Sequence, residues 1–459
     1  VPFNDGWYIM PKTTIECIFY SGILLLYFIL AALFAIRTPD WQAPDEPAHY
    51  NNIAQIVGGD LLPEIEMGDW DNDYLETLKA NDFAPELLDR LDTIQYEDHQ
   101  PPLYYWIAAP IFALSDGSLT ALRLYSVLLG GITVALTFTV TQTITPQRPH
   151  IALSAMAFVA FLPQQVHMTS TVNNDALAGV MIGATLLLLI RFLRQQAPFH
   201  SSDRVWLLGV LVGIIFITKT TIYFMAGVVL IVIFMRWWTD KPRRILTLAR
   251  QFIVFAMPAG IFALIYWGRN VRVYGVPDFL GLIRHDEVVV GQLRTADYIE
   301  QIGTSAYWQT AIKTTVHSFW GQFGWMEARM ADAVPSVMIF IGLLTLAAIS
   351  GLVMLANQPK NDNAIPREIW ITLGLALLLT VLQYIFYNLT FVQFQGRYLF
   401  TALIPIAIAM ALGVDVWRNL IFSKITALSW ATVGVFHSFV PLDFYLIWRV
   451  IPGAVGGIG

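Results

Sequence analysis

Apolar blocks about as long as a bilayer-crossing helix recur along most of this chain, and that recurrence limits its fold more than any other feature. They run near Ile15–Ile36, Leu119–Thr141, Ile151–Met168, Asn174–Ile190, Val205–Ile217, Ile222–Met235, Phe252–Trp267, Val334–Leu355, Ile369–Tyr387, Leu399–Val414 and Ile425–Ile447. Inside a bilayer every backbone polar group needs a partner within the protein, and blocks of this length satisfy it as helices. The chain therefore reads as an all-α polytopic membrane protein with about eleven transmembrane helices. Charged residues make up 13% of the sequence, against about 25% in soluble domains. An ordinary cytosolic enzyme, a disordered chain and a nucleic-acid binder are excluded. The single cysteine, Cys17, lies in the first block, which leaves no internal disulfide and no thiolate metal site. The sequence opens on Val1 and stops at Gly459 in a glycine-rich run, so one or both ends are expected to be missing.

The charges are unevenly divided. Between Thr38 and Gln100 stand 16 acids against Lys79 and Arg90, a local charge of −14, so the remainder carries +8. Most of those acids keep a loop solvated, yet the loop is far longer than the roughly 2–8 residues that join packed helices. Basic residues orient the chain. Lys12, Arg148, Arg191, Arg194, Arg204, Arg236, Lys241, Arg243, Arg244, Arg250, Lys360, Arg367, Arg418 and Lys424 all fall on one side if Pro101–Leu114 does not cross. That stretch is about 14 residues long and opens with two prolines, as a juxtamembrane helix would. With the bases cytoplasmic, the acidic loop faces out. The expected organisation is 1–37 for the N-terminus and first span and 38–118 for an acidic extracytoplasmic loop with juxtamembrane helices. Then follow 119–268 for a helical bundle, 269–333 for a second extracytoplasmic segment and 334–459 for the last spans.

Few residues stand out as chemistry. Pro44-Asp45-Glu46-Pro47-Ala48-His49 puts two carboxylates at a helix start facing water, where they complement the helix dipole or accept a proton. His49 follows Glu46 by three residues and would share its face. Glu97-Asp98-His99-Gln100-Pro101-Pro102-Leu103-Tyr104-Tyr105 closes the loop, and a histidine fixed by two prolines can offer a donor to a phosphate. Asp175 opens a span after Asn173-Asn174. Lys219 and Arg397 interrupt apolar runs at outer ends, where snorkelling alone would also place them. No glycine-rich phosphate loop, HExxH, Gly-x-Ser-x-Gly or internal repeat is present, and the Asn388-Leu389-Thr390 sequon at a span's edge reads as chance.

This order of motifs resembles the GT-C superfamily of membrane glycosyltransferases, among them the protein O-mannosyltransferases and the lipid A aminoarabinose transferases. Their pattern is an Asp-Glu pair in the first outer loop, matched by Asp45-Glu46, and a (His/Lys)-Pro-Pro-Leu-Tyr-Tyr-like closure. Here that closure is His99–Tyr105 with Gln100 inserted, and His49 falls one residue later than in the mannosyltransferases. Asp175 matches a further shared acid. The details look closer still to a bacterial membrane-protein family of that superfamily with PDEPAH, FWGxFGW and GRYL motifs and no settled reaction. Those motifs are Pro44–His49, Phe319–Trp325 and Gly396–Leu399 here.

The resemblance implies a bacterial inner-membrane enzyme that moves a sugar from a polyprenyl-phosphate carrier to a glycan, lipid or protein acceptor on the extracytoplasmic face. It implies Asp45 as general base with inversion at the anomeric carbon, and Arg397, Lys219 and His99 around the carrier phosphate. Glu46 and Asp175 would orient the acceptor or, with Asp45, hold a divalent ion, since some relatives use one. His49 would line the same site. Two other readings stay open: a non-catalytic GT-C-fold subunit of a larger membrane assembly, and a transporter or flippase of lipid-linked sugars.

Overall fold

The computed structural model describes residues 11, 13–195, 204–357, 364–423, 425, 428 and 430–454; Lys12, Lys360 and Lys424 lie outside them. Helix α1 (Thr14–Arg37) leads into the acidic segment. That segment folds as α2 (Glu46–Gly58), α3 (Asn72–Ala80), a 3-10 run at Pro85–Thr93 and α4 (Leu103–Leu114). The first bundle follows as α5 (Leu119–Ile144), α6 (Pro149–Phe161), α7 (Pro163–Met168), α8 (Asp175–Arg194), α9 (Arg204–Phe216), α10 (Phe224–Thr239) and α11 (Ile245–Tyr274). The second polar segment holds α12 (Leu282–Val288), α13 (Thr295–Ile302), α14 (Thr304–Trp320) and the hairpin β1 (Gln322–Phe323) with β2 (Ala328–Arg329), antiparallel with Gln322 opposite Arg329. Short α15 (Met330–Ala333) then leads to α16 (Pro335–Ala356), α17 (Arg367–Asn388), α18 (Leu403–Phe422), α19 (Ala431–His437) and α20 (Phe439–Tyr445).

Among the described residues nine helices are long and apolar enough to cross a membrane, so the chain is an integral all-α membrane protein. Two expected spans are shorter. The 151–168 block breaks after Leu162 because Pro163 has no amide to continue the α6 ladder. Helix α9 has 13 residues, about 20 Å of helix at 1.5 Å per residue, short of the roughly 30 Å hydrocarbon core. The last block breaks at Ser438 and ends in a π-helical turn, Leu446–Val450. Helix α4, at 12 residues, is too short to span and packs on α2.

Small residues set the closest helix crossing. A Cβ on Gly351 of α16 would lie 2.0 Å from Gly413 O of α18, and one on Gly413 would lie 2.0 Å from Ala348 O. Backbones that approach this closely gain dispersion contacts that water exclusion alone does not supply between helices in lipid. The acidic segment has its own apolar core. Ile65, Leu75, Leu78, Phe83 and Ile94 bury together with Val288 and Val289 of the second polar segment. The Phe319–Trp325 stretch buttresses that core: Trp325 Nε1 donates to Trp41 O at 3.0 Å, and Phe83 stacks on its ring at 5.9 Å. Both polar segments thus join at one end of the bundle. Arg148 and Arg191, like Arg194, Arg204, Arg236 and Arg418, lie at the other end of the spans they flank.

Candidate active site

Four span ends deliver the ionisable side chains. Asp45, between α1 and α2, has a left-handed backbone with φ 69°, a conformation that costs most residues energy and that Asp tolerates better than most. Its carboxylate accepts from Arg397 Nη2 at 2.6 Å and from Tyr96 Oη at 3.0 Å. Arg397 sits in a 3-10 turn, Gly396–Ala402, before α18. That turn lies flat on α14 only because residue 396 lacks a side chain: a Cβ there would meet Phe319 N at 2.3 Å and Thr315 O at 2.4 Å. Gly396 N donates to Ser318 Oγ at 2.7 Å. Arg397 Nε donates to Gln395 Oε1 at 2.6 Å, while its Nη1 is buried with no partner among the described residues. The second pair is Lys219 with Asp175, at 2.7 Å. Lys219 follows α9 and Asp175 is the first residue of α8.

The neutral polar groups form a chain beside these pairs. His49 Nδ1 meets Tyr105 Oη at 2.8 Å; Asn174 Nδ2 donates to that oxygen at 3.4 Å and to Gln100 Oε1 at 3.3 Å. Gln100 Nε2 reaches His99 Nε2 at 3.3 Å, and His99 Nδ1 lies 3.1 Å from Tyr96 O. The inserted Gln100 therefore links the loop closure to the start of α8. With Nδ1–H donated to Tyr96 O and Nε2 accepting from Gln100, His99 is assigned the neutral tautomer by its partners.

The electrostatics agree. Burial, then the charge of the neighbouring His285, whose ring is tilted against it at 4.4 Å, pushes the His99 pKa well below its usual value. His49 falls to about 3, first from burial and then from the Lys219 charge, with Asp45 and Asp175 acting the other way and Arg397 adding to the fall. At Asp45 burial acts upward, but the Arg397 and His49 charges and the Arg397 and Tyr96 hydrogen bonds outweigh it and hold the carboxyl below the usual range. Glu97 is raised to about 8 by burial and by the Asp45 charge. The Asp45 charge therefore acts on a Glu97 held toward its protonated form, which is how environment sets two carboxyls apart.

Several expectations are corrected. Glu46 is fully buried and turned away from Asp45. Its Oε1 accepts from Arg123 Nε at 2.9 Å and from Val172 N at 3.1 Å, and its Oε2 from Arg123 Nη2 at 2.6 Å. Arg123 also donates to Ala35 O and Thr38 O, so the pair clamps α1, α2 and α5 together rather than facing a substrate. His49 does not share the Glu46 environment, and neither His49 nor His99 carries positive charge for a phosphate. Asp45 is not a water-facing cap: its side chain is 27% exposed and ion-paired. A divalent ion does not fit the donor set. Asp45, Glu46 and Asp175 hold three different cations, and among the described residues no three His, Cys, Asp or Glu side chains gather.

Arg123, Tyr96, Glu97 and Gln395 were not singled out from sequence as site groups. Arg123 left a signal: a lone charge within an apolar span demands a buried partner. Tyr96 and Gln395 left none, because only the fold brings residue 96 to residue 45.

Asp45, Asp175, Lys219 and Arg397 thus converge at one end of the bundle as two cation–carboxylate pairs, an arrangement that can exchange its carboxylates for an incoming anion. Residues 61–271, just under half of the chain, match the model of the dolichyl-phosphate-mannose-protein mannosyltransferase family. No curated protein sequence matches. Among solved structures, ArnT from Cupriavidus metallidurans bound to undecaprenyl phosphate is similar at 14% identity and a TM-score of 0.48, over 97% of this chain and 74% of that one. ArnT in the apo state is similar at 13% identity and a TM-score of 0.47, over 95% and 73%. The family match is thus confined to residues 61–271, where the chain is similar to the dolichyl-phosphate-mannose-protein mannosyltransferases.

Proposed function

We propose that the chain transfers a sugar from a polyprenyl-phosphate carrier to an acceptor hydroxyl on the extracytoplasmic side of a bacterial inner membrane, with inversion and with Asp45 as general base. The observation that carries this reading is the Asp45–Arg397 ion pair, in which Arg397 keeps an unpartnered Nη1 directed to no protein group. The family description, with its dolichyl-phosphate-mannose donor, supports a polyprenyl-phosphate sugar as substrate.

In the resting chain Arg397 holds Asp45 ionised but occupied. A carrier phosphate offers oxygens to Arg397 Nη1 and to Lys219 Nζ, and draws both cations from their carboxylates. Asp45, released, accepts the proton of the acceptor hydroxyl as that oxygen attacks the anomeric carbon. The bond from that carbon to the phosphate oxygen breaks, and polyprenyl phosphate leaves with the electron pair. Charge develops on that oxygen, where Arg397 and Lys219 already stand, and such preorganised charge is commonly the largest contribution to catalysis. Proton removal by a placed base adds roughly 10²–10⁴-fold. The ionisable groups lie at span ends, where an interfacial enzyme needs them, whereas transporters coordinate substrates near the bilayer midplane.

The test is sugar transfer by purified chain supplied with polyprenyl-phosphate sugars and a membrane acceptor fraction. Wild type is expected to release polyprenyl phosphate and label an acceptor, and Asp45→Asn to lose at least ~10²-fold in rate. Transfer unchanged in Asp45→Asn removes the base assignment; a wild type that binds carrier but transfers nothing favours the subunit reading.

A further inference from the structure

At the end of the bundle away from Asp45, the C-terminal ends of α8 and α10 and the N-terminal turn of α17 frame a cavity of about 230 Å³. Leu193, Arg194, Arg236, Thr239, Glu368 and Ile369 line it. None of these residues has a part in the sugar-transfer reading. Arg194 is fixed from behind, donating through Nη2 to Ile144 O at 2.6 Å, while its Nε is buried with no partner among the described residues. Arg236 is steered to the same place by its Nη2 bond to Gln195 O at 2.8 Å. Glu368 supplies one carboxylate from the first turn of α17. The walls are thus two guanidiniums, one carboxylate, Thr239 and the apolar Leu193, Pro366 and Ile369.

The surroundings place this cavity at a membrane surface. Arg191, Arg204, Lys241, Arg243 and Arg244 flank it in sequence, and Trp237 and Trp238 end α10, as in an aromatic belt. Outward from Ile369, α17 exposes Trp370 and Ile371, an apolar track on which acyl chains can lie. A guanidinium, with its planar fork of donors, is suited to phosphate oxygens. The carboxylate decides between headgroups. A purely anionic one sets its charge against Glu368, whereas one carrying a primary ammonium beyond the phosphate sets an opposite charge against Glu368 as well as against the guanidiniums. A quaternary ammonium has no N–H to give.

We propose that this cavity is a headgroup site for a phospholipid whose phosphate lies on Arg194 and Arg236 and whose primary ammonium lies on Glu368, phosphoethanolamine being the simplest such group. Binding there ties α8, α10 and α17 together in the leaflet opposite the sugar-transfer site.

The test is native mass spectrometry of the delipidated full chain, titrated with phosphatidylethanolamine or phosphatidylglycerol of matched acyl chains. Wild type is expected to bind one phosphatidylethanolamine per chain, with about tenfold preference over phosphatidylglycerol, the scale of one charge-assisted contact. Arg194→Gln is expected to weaken both lipids by about tenfold or more. Glu368→Gln, nearly isosteric and at a partly exposed position, is expected to erase or reverse the preference while the chain stays folded. It keeps the test valid if the arginine variant does not fold. Equal binding of the two lipids by wild type, or an unchanged preference in Glu368→Gln, would overturn the proposal. Free phosphoethanolamine that displaces the lipid at equal affinity would overturn the lipid as the source and assign the site to a soluble ester.

Discussion

Asp45→Asn is expected to separate binding from chemistry in opposite directions. In the resting chain the carrier phosphate must compete with Asp45 for Arg397, whose side chain is 5% exposed and whose Nη2 lies 2.6 Å from Asp45 Oδ2. Two unit charges about 4 Å apart attract by about 4 kcal/mol at an effective dielectric of about 20. The arriving phosphate restores most of that, because it replaces one anion by another beside the same guanidinium. A residual on the order of 1 kcal/mol is therefore expected to appear as tighter carrier binding, about fivefold in Kd. Turnover is expected to fall by at least ~10²-fold, since Asn accepts no proton. The assay is titration of polyprenyl phosphate into wild type and Asp45→Asn in nanodiscs, with transfer measured on the same preparations. Weaker carrier binding by the Asn variant would refute the exchange of anions on Arg397, and unchanged turnover would refute the base.

Four further outcomes follow from the geometry. Arg397→Lys is expected to weaken carrier binding by about tenfold despite the retained charge, because one ammonium cannot serve Asp45, Gln395 and a phosphate in the fork geometry; titration of the same lipid checks it. Glu46→Ala is expected to cost about 3–5 kcal/mol of stability by stranding buried Arg123, read as a lowered thermal midpoint that Glu46→Ala/Arg123→Met partly recovers. Asp98, raised to about 7 by burial against the Gln55 and Asn52 hydrogen bonds, has its folded pKa above the unfolded value of about 3.9. Its contribution is full below pH ~4 and is lost as pH rises through about 7, so hydrogen exchange in α2 is expected to quicken over that window and Asp98→Asn to flatten the change. Asp443 is buried with neither carboxylate oxygen bonded within the described residues, and Asp443→Leu is expected to raise the midpoint, worth about 1–3 kcal/mol; a lowered midpoint would show that the acid has a partner.

The sequence carries the spans and the length of the acidic segment because bilayer thickness writes itself directly into apolar block length. It also carries Asp45, Asp175, Lys219 and Arg397, because a charge at the edge of an apolar run is conspicuous. It could not separate the roles of Asp45 and Glu46. Adjacent carboxylates look alike in a string, and their fates depend on Arg123, which lies 77 positions from Glu46 and buries one of them. The charge state of His99 was equally hidden, since the His285 ring that helps keep it neutral comes from a different polar segment. Pro163 was visible, yet a proline in an apolar block ends or merely kinks a helix according to what packs around it.

The sugar-transfer reading meets its most direct test in a structure of the chain with a polyprenyl phosphate bound. The expected result is a phosphate within hydrogen-bond reach of Arg397 Nη1 and Lys219 Nζ, with the 2.6 Å Asp45–Arg397 contact opened and the Asp45 carboxylate facing a space that an acceptor hydroxyl can enter. A phosphate bound elsewhere, with the Asp45–Arg397 and Asp175–Lys219 pairs intact, would contradict it.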